Sequence, residues 1–324
     1  MRTKLFKSLL LAAVVAMAGG PYAGAWADGR QVTDDAGRTV TIPDQVERVV
    51  VMHEPLLGIP LMDLGLDLVG SYGRTDDGGF VIQVDFIDVV LGPGRNKPQG
   101  FGAVGQIDLE KLNALSPDLI IGTERNVDKV DQLATIAPVY LQNISTGKTY
   151  GFSVEEDLAR VLRMEDAFAE RRAAYDARRA EVQAKLPVDP GTQNYLAIFL
   201  TDQLNAVGEM SGMVQVLEDL GYTRMSLESD GGAGLGSTLM APLSTEVFAR
   251  LNPDLLIVMN TYTGKGRDEE GTRAALDRIV PGWDRFLKPA REGRVLFVDS
   301  AAVTTPTIAS ALHMLDALEE WATR

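Results

Sequence analysis

The sequence predicts an α/β protein of two lobes that are joined by one long helix, with a ligand cleft between the lobes. The first observation is an internal repeat: residues 110–121 read EKLNALSPDLII, and residues 246–258 read EVFARLNPDLLIV. Each copy indicates a short helix, a turn at proline and a buried strand of the parallel type. The second observation is a long helical pattern between the copies. Two similar units on either side of a helix indicate two similar lobes, and such lobes commonly hold a ligand between them.

Composition limits the possible classes of protein. The chain has 324 residues, enough for two domains of ordinary size. Its formal net charge of −14 at pH 7 argues against nucleic acid or an anionic membrane surface as a partner. Because the sequence contains no cysteine, it has no disulfides, no thiol chemistry and no cysteine for lipid attachment.

Residues 1–27 have the pattern of a signal peptide. Three basic residues precede an apolar run at 9–18, and Ala25-Trp26-Ala27 is a small-x-small cleavage site. We therefore expect an exported protein that begins near Asp28 and is soluble in the periplasm. A membrane anchor is the alternative, but the apolar run is shorter than the roughly 20 residues that a membrane span needs.

The N-terminal lobe is placed at residues 28–151. Weak alternation over 32–42 predicts a β-hairpin, and the apolar run 48–52 predicts the first strand of a sheet. A helix at 61–64 ends at Gly65, a residue typical of helix C-termini. The remaining predicted elements are a strand at 68–70, loops over 72–105, the first repeat copy with Asp108 as its N-cap, a short helix at 132–137 and a strand at 139–141.

The connecting helix is placed at residues 152–187. Residues 153–156 read SVEE, a capping box, and Pro187 ends the pattern. At 1.5 Å per residue, one unbroken helix of this length would span about 50 Å. Such a rigid connection would resist wide closure of the lobes. Two helices with a break near 165–166 are the alternative.

The C-terminal lobe is placed at residues 188–324. A strand at 195–200 and a helix at 214–220 begin it, and Gly221 follows that helix as Gly65 follows the earlier one. The remaining predicted elements are a glycine-rich loop at 229–237, the second repeat copy, a helix at 273–279, a strand at 295–298 and a final helix at 307–321. Alternating strands and helices in both halves predict largely parallel sheets.

In their order, several of these segments resemble the periplasmic substrate-binding proteins of ABC importers for ferric siderophores, haem and vitamin B12. The matching segments are VTDDAGRTVTIP at 32–43, RVVV at 48–51, LGL at 64–66, LEDLG at 217–221, the long helix and both repeat copies. The hairpin followed by Arg-Val-Val is most similar to the siderophore branch. The resemblance implies two Rossmann-like lobes bridged by one helix. It also implies a receptor that delivers a ferric siderophore to an inner-membrane ABC permease.

Glu110 and Glu246 fall where this family places one exposed carboxylate on each lobe. The resemblance implies that both dock onto arginines of the permease, which requires charge, exposure and a fixed separation. The alternative is a local role, because glutamate in the first turn of a helix interacts favourably with the helix dipole. Asp108 and Ser244 are expected as the N-caps of these two helices.

Candidate ligand residues follow the predicted strands, because ligands of open α/β sheets bind beyond the carboxyl ends of the strands. Arginine suits an anionic ferric chelate, since it keeps its charge and offers a fork of donors, and tyrosine can stack or donate. We expect at least two of Arg74, Arg125 and Arg267 to reach the cleft, although each could be a solvated loop charge. His53 and Glu54 also follow a strand, but glycine and proline interrupt the helix after them. The candidates are Tyr72, Arg74, Arg125, Asn126, Tyr262, Lys265 and Arg267.

Other functions have less support in the sequence. Haem, bound through tyrosine or His53, and vitamin B12 remain alternative ligands. A zinc site needs several His or Cys, and the chain has two His, of which His313 is expected to be a packed or surface residue of the last helix. An exported hydrolase is disfavoured because G-x-S-x-G and H-E-x-x-H are absent. We expect a monomer that is not an enzyme and has no cofactor or metal site, iron arriving only as a bound chelate.

Overall fold

The computed structural model describes residues 29–75, 79–80, 84–102, 106–144, 149–225, 240–262 and 266–324. The predicted signal peptide, the loop at 229–237 and Lys265 lie outside the described residues. None of the helices in the described part combines the length and the apolar character that crossing a membrane requires.

The chain begins with the predicted hairpin, which consists of antiparallel strands β1 (Gly29–Thr33) and β2 (Thr39–Pro43). Asp34 in the turn is buried and accepts hydrogen bonds from the backbone and side chain of Arg38. The hairpin is held against the N-terminal lobe, because Arg38 Nη2 donates to the carbonyl of Val139 over 2.9 Å and the amide of Asp35 donates to Leu141 over 3.0 Å.

The N-terminal sheet has five parallel strands in the order β5-β4-β3-β6-β7. They are β3 (Val49–Val51), β4 (Gly70–Ser71), β5 (Gln99–Gly100), β6 (Leu119–Thr123) and β7 (Val139–Gln142). The helices are α1 (Ile59–Asp63), α2 (Leu109–Ala114) and α3 (Val130–Leu133). Two π-helical turns (Glu54–Gly58 and Ile87–Leu91) and a 3₁₀ helix (Glu124–Lys129) complete the described lobe. The first π-helical turn contains proline and glycine and leads directly into α1.

Two helices connect the lobes, where the sequence analysis predicted one. They are α4 (Ser153–Leu162) and α5 (Glu165–Gln183). Arg163 has a left-handed backbone with φ of 58°, and the amide of Met164 donates to the carbonyl of Ala159 over 2.7 Å. This is a Schellman motif, which ends α4 and redirects the chain. The sequence analysis gave two helices with a break near 165–166 as the alternative, and the structure has such a break at residues 163–164.

The C-terminal sheet has the order β11-β9-β8-β12-β13, with β10 beside the first residues of β8. Its strands are β8 (Asn194–Leu200), β9 (Leu204–Val207), β10 (Thr223–Arg224), β11 (Met240–Leu243), β12 (Leu255–Met259) and β13 (Val295–Val298). β9 is antiparallel to both of its neighbours, whereas β8, β10, β12 and β13 are parallel. The tight turn after β8 produces the antiparallel part, which the sequence analysis did not predict.

The helices of this lobe are α6 (Gly212–Asp219), α7 (Thr245–Arg250), α8 (Glu269–Ile279), α9 (Trp283–Phe286), α10 (Lys288–Arg291), α11 (Ser300–Val303) and α12 (Ile308–Ala322). The two repeat copies form α2–β6 and α7–β12. Each β-strand of the repeat is buried and lies between two parallel neighbours, β6 between β3 and β7 and β12 between β8 and β13. The repeat therefore marks equivalent positions in two similar sheets.

The lobes are in direct contact. Met210, Ala301 and Ala309 from the C-terminal half are buried in the same apolar cluster as the core of the N-terminal sheet. His313 Nε2 lies 3.0 Å from the carbonyl oxygen of Val90, so this histidine is a packed residue of α12, as expected. α1 and the turn at Ile87–Leu91 thus pack against the start of α12.

Candidate functional site

The carboxyl ends of the parallel strands carry the candidate site. His53 follows β3, Tyr72 follows β4 and Arg125 follows β6, whereas Tyr262 follows β12 and Asp299 follows β13. These five residues therefore lie where the rule for open α/β sheets places ligands, beyond the carboxyl ends of the strands.

Tyr262 joins the two lobes at this site. Its ring centroid lies 5.4 Å from that of Phe86 in the N-terminal lobe and 4.9 Å from that of Phe199 in the C-terminal lobe. Its hydroxyl lies 2.9 Å from Thr304 Oγ1. Burial raises the pKa of Tyr262 to about 12, so the phenol is neutral at physiological pH.

Arg74 is held by two carboxylates in the N-terminal lobe. Its side chain is fully buried, with 0 % exposure, and its guanidinium forms a bidentate pair with Glu54 at 2.5 and 2.6 Å. It also donates to both oxygens of Asp85, over 3.1 and 3.0 Å, and lies over the ring of Phe80. In this structure two carboxylates occupy the donors of Arg74 and its side chain has no exposed surface, so the expected ligand contact stays a prediction.

His53 and Glu54 are structural in this geometry. His53 Nδ1 accepts a hydrogen bond from the amide of Leu56 and caps the first π-helical turn. Burial, and to a smaller extent the charge of Arg125, lower the pKa of His53 to about 4, so the imidazole is neutral. Burial raises the pKa of Glu54, and the hydrogen bonds from Arg74 act in the opposite direction.

Arg125 is exposed, and among the residues that the structure describes no carboxylate lies within ion-pair distance of it. The adjacent Asn126 is half-buried, and its side-chain oxygen accepts from the amide of Thr123, closing a capping box. Asn126 therefore orients the turn that presents Arg125. The sequence analysis suggested both residues as ligand contacts, and in the structure the side chain of Asn126 bonds to the neighbouring backbone.

Arg267 forms an ion pair with Asp299, the residue that follows β13. The Arg267 guanidinium is 3.4 Å from the Asp299 carboxylate, and its Nη1 is buried without a hydrogen-bond partner in the described part of the chain. Tyr72 is half-buried against Phe101, with 6.0 Å between ring centroids. Lys265 lies outside the described residues, so its predicted role stays a prediction.

The two repeat glutamates have matching positions. Glu110 and Glu246 are exposed and occupy the second residue of α2 and α7. Asp108 and Ser244 are the N-caps, as expected, each accepting from the amide three residues later. Glu246 also pairs with Arg250 one turn along the helix, at 2.5 Å, while position 114 of the first copy is alanine.

Two cavities lie within the C-terminal lobe. One, of about 690 Å³, is lined by Thr201–Leu204 loop residues and by Ser244 and Thr245 at the start of α7. The other, of about 550 Å³, lies at the amino ends of β8, β12 and β13 and contains Trp283 and Trp321. Both tryptophans are thus at the end of the sheet opposite to Tyr262.

Within the described ranges, no group of three or more His, Cys, Asp or Glu residues is arranged to hold a metal ion.

The protein has two similar α/β lobes that are joined by helices and touch each other. Polar and aromatic residues lie beyond the carboxyl ends of strands in both lobes. This arrangement is that of a two-lobed binding protein. The family described as "Periplasmic binding protein" matches residues 87–302, and the chain belongs to this family. The family predicted from the sequence is therefore confirmed.

Named relatives support the assignment. The chain is 26 % identical over 247 residues to the ferric-anguibactin-binding protein FatB of Vibrio anguillarum, covering 72 % of each protein. It is 24 % identical over 206 residues to the petrobactin-binding protein YclQ of Bacillus subtilis, covering 62 % of this chain and 61 % of the relative. The crystal structure of Staphylococcus aureus SirA complexed with staphyloferrin B has the same fold. Its TM-score is 0.67 at 20 % identity, over 91 % of this chain and 98 % of that one.

Proposed function

We propose that this protein is a periplasmic receptor that binds a ferric siderophore between its lobes and delivers it to an ABC permease of the inner membrane. Among its relatives, FatB is a ferric-anguibactin-binding protein, YclQ is a petrobactin-binding protein and SirA was crystallised with staphyloferrin B. The observation that carries the proposal is the position of Tyr262, which touches aromatic rings of both lobes beyond the strand ends. A ligand that displaces or stacks on this ring would contact both lobes at once.

Arg125 and Arg267 are the proposed contacts for the anionic part of the chelate. Arg125 is exposed and without a carboxylate partner in the described chain, and Arg267 has one buried donor atom without a hydrogen bond there. A guanidinium keeps its charge and donates in a planar fork, which suits carboxylate or catecholate oxygens. Iron enters as part of the substrate, so the proposal needs no resident metal ion or cofactor.

Calorimetric titration of the mature chain with a panel of ferric chelates, haem and cobalamin tests the ligand class. We expect saturable binding of one or more ferric siderophores and a rise in Tm, since a ligand that binds only the native state stabilises it. Arg125→Ala should weaken an anionic chelate by about 1–3 kcal/mol, or roughly 5- to 150-fold. Arg291→Ala, an exposed arginine on α10 at the amino end of the strands, is the matched control. Tight binding of haem or cobalamin alone would refute the siderophore assignment.

Glu110 and Glu246 are the proposed docking residues for the permease. Both are exposed at the same position of equivalent helices. The pair between Glu246 and Arg250 does not prevent docking, because an ion pair between exposed side chains contributes little free energy. Glu110→Ala/Glu246→Ala should abolish uptake of the iron chelate while leaving the affinity for it unchanged. Glu156→Ala/Glu320→Ala, which removes two other exposed glutamates, should leave uptake unchanged, and full uptake by the first variant would refute the docking role.

The mature form is proposed to begin near Asp28 and to act as a monomer without enzymatic activity. N-terminal sequencing of the exported protein tests the cleavage site, and sedimentation velocity tests the oligomeric state. A retained leader in the periplasmic fraction would contradict the first proposal, and a stable dimer would contradict the second.

A further inference from the structure

Elements from both lobes and from the connection meet at the first turn of α12. Glu155 on α4 is fully buried, and its Oε2 accepts from the amide of Ile308 over 2.6 Å. Asp63 at the end of α1 is also buried, and its Oδ2 accepts from the amide of Ala309 over 2.9 Å. Arg171 on α5 donates to the other oxygen of Asp63. These five residues are called the α12 latch.

The charges of the latch do not balance if both acids are ionised. Glu155 Oε1 is buried and receives no hydrogen bond from the described chain, and the carboxyl groups of Glu155 and Asp63 are close together because they accept from consecutive amides of α12. Two neighbouring carboxylates that are removed from water cannot both keep their charge at low cost. A single proton between them gives Oε1 a hydrogen bond and leaves one negative charge opposite Arg171.

We propose that Glu155 is protonated in the native protein and donates to Asp63, and that this acid–carboxylate pair fastens α12 to α1 and so fixes the angle between the lobes. The Schellman break at Arg163 lies between Glu155 on α4 and Arg171 on α5. The latch therefore holds both connecting helices to the same point of the C-terminal lobe. Rigidity that one unbroken helix would have supplied comes instead from this buried cluster.

Burial, and then the charge of Asp63, raise the pKa of Glu155 well above its ordinary value, which is consistent with the proposed proton. Several charged or titratable groups on neighbouring elements have partners of their own: Glu54 with Arg74, Asp88 with Lys97, Glu218 and Asp219 with tyrosine hydroxyls, and His313 with the Val90 carbonyl.

The sign of the pH dependence follows from the proton. Between the pKa of Glu155 in the unfolded chain and its higher native pKa, the native state binds a proton that the unfolded state has lost. Raising the pH through this window therefore destabilises the native state, and the unfolding equilibrium constant rises by up to tenfold per pH unit. Above the native pKa the latch carries two negative charges and opens.

Glu155→Gln is the decisive variant, because its amide can donate to Asp63 and its carbonyl can still accept from Ile308. We expect it to unfold like the unmodified protein at low pH and to lack the destabilisation at higher pH. An infrared difference spectrum near pH 6 should show a protonated carboxylic acid band that Glu155→Gln lacks. Glu156→Gln, the exposed neighbour, is the control and should retain the band.

Lobe motion is measured with spin labels, which the absence of native cysteine makes straightforward. Val127→Cys and Phe286→Cys place labels on exposed positions of the two lobes. Pulsed dipolar spectroscopy should give one narrow distance distribution for the parent and Glu155→Gln, and a broader one for Glu155→Ala. The proposal is overturned if Glu155→Gln broadens the distribution as Glu155→Ala does, if the pH profiles of the parent and Glu155→Gln coincide, or if the acid band is absent.

Discussion

Substitution of Arg74 distinguishes a structural role of this residue from a ligand-binding role. Its guanidinium and the Glu54 carboxylate are both at 0 % exposure, with two hydrogen bonds between them. Asp85 keeps a second partner in Lys97 at 2.7 Å, but Glu54 has no other cation in an ion pair within the described residues. Arg74→Met would therefore leave Glu54 as a buried charge without its counterion. Breaking a buried pair in this way costs about 3–5 kcal/mol of the free energy of unfolding.

Urea unfolding at neutral pH measures this loss directly. Glu54→Gln/Arg74→Met should lose less than Arg74→Met alone, because no uncompensated charge remains. Lowering the pH should reduce the deficit of Arg74→Met, since Glu54 can then enter the native state protonated. Arg125→Met, an exposed arginine without a carboxylate partner in the described chain, should change stability by no more than about 0.5 kcal/mol.

The opposite result would refute this reasoning. If Arg74→Met unfolds within about 1 kcal/mol of the parent while its affinity for a ferric chelate falls, the buried pair is not what holds Arg74. Arg74 would then have to leave Glu54 when ligand binds and take the role of ligand contact that the sequence analysis expected.

Two further predictions concern single positions. Arg163→Gly should raise the free energy of unfolding by about 1 kcal/mol, because glycine adopts the left-handed backbone without a Cβ clash. The ion pair that is lost, between Arg163 and Asp44, is exposed and contributes little. An unchanged or lower urea midpoint would contradict this prediction. Tyr262→Phe should cost about 1 kcal/mol through the lost hydrogen bond to Thr304. The two proteins should also differ at alkaline pH. As the pH rises from the ordinary tyrosine pKa towards about 12, Tyr262 of the native parent retains a proton that the unfolded chain loses. The parent should therefore lose stability relative to Tyr262→Phe. Parallel pH profiles of the two would refute a buried, neutral phenol.

Much of the architecture follows from local patterns. The alternation around Asp34 predicted the hairpin β1–β2, and the repeated Pro-Asp-Leu segments predicted the two central strands β6 and β12. N-caps at Asp108 and Ser244 were also predicted, because the first turn of a helix needs acceptors close in sequence. The break at Arg163 was only an alternative in the sequence analysis, near 165–166, since arginine is a good helix former and no residue there marks the left-handed conformation.

The candidate site was predicted less completely than the fold. The rule of strand carboxyl ends correctly suggested where Arg125 and Tyr262 lie, but it could not show that Arg74 faces Glu54. That pairing depends on the separation of β3 and β4 in space, and a basic residue after a strand has the same sequence pattern whether it is free or paired.

The sequence by itself determined many of the helices and strands, the twin organisation and the positions of the two exposed glutamates, because each depends on periodicity or on a residue's immediate neighbours. Only the tertiary structure decided which charged side chains are paired and how the lobes are joined. Asp63, Glu155 and Arg171 are far apart in the chain, and no local pattern marks them. Their protonation and partners follow from burial and from the electrostatics of groups that folding alone brings together.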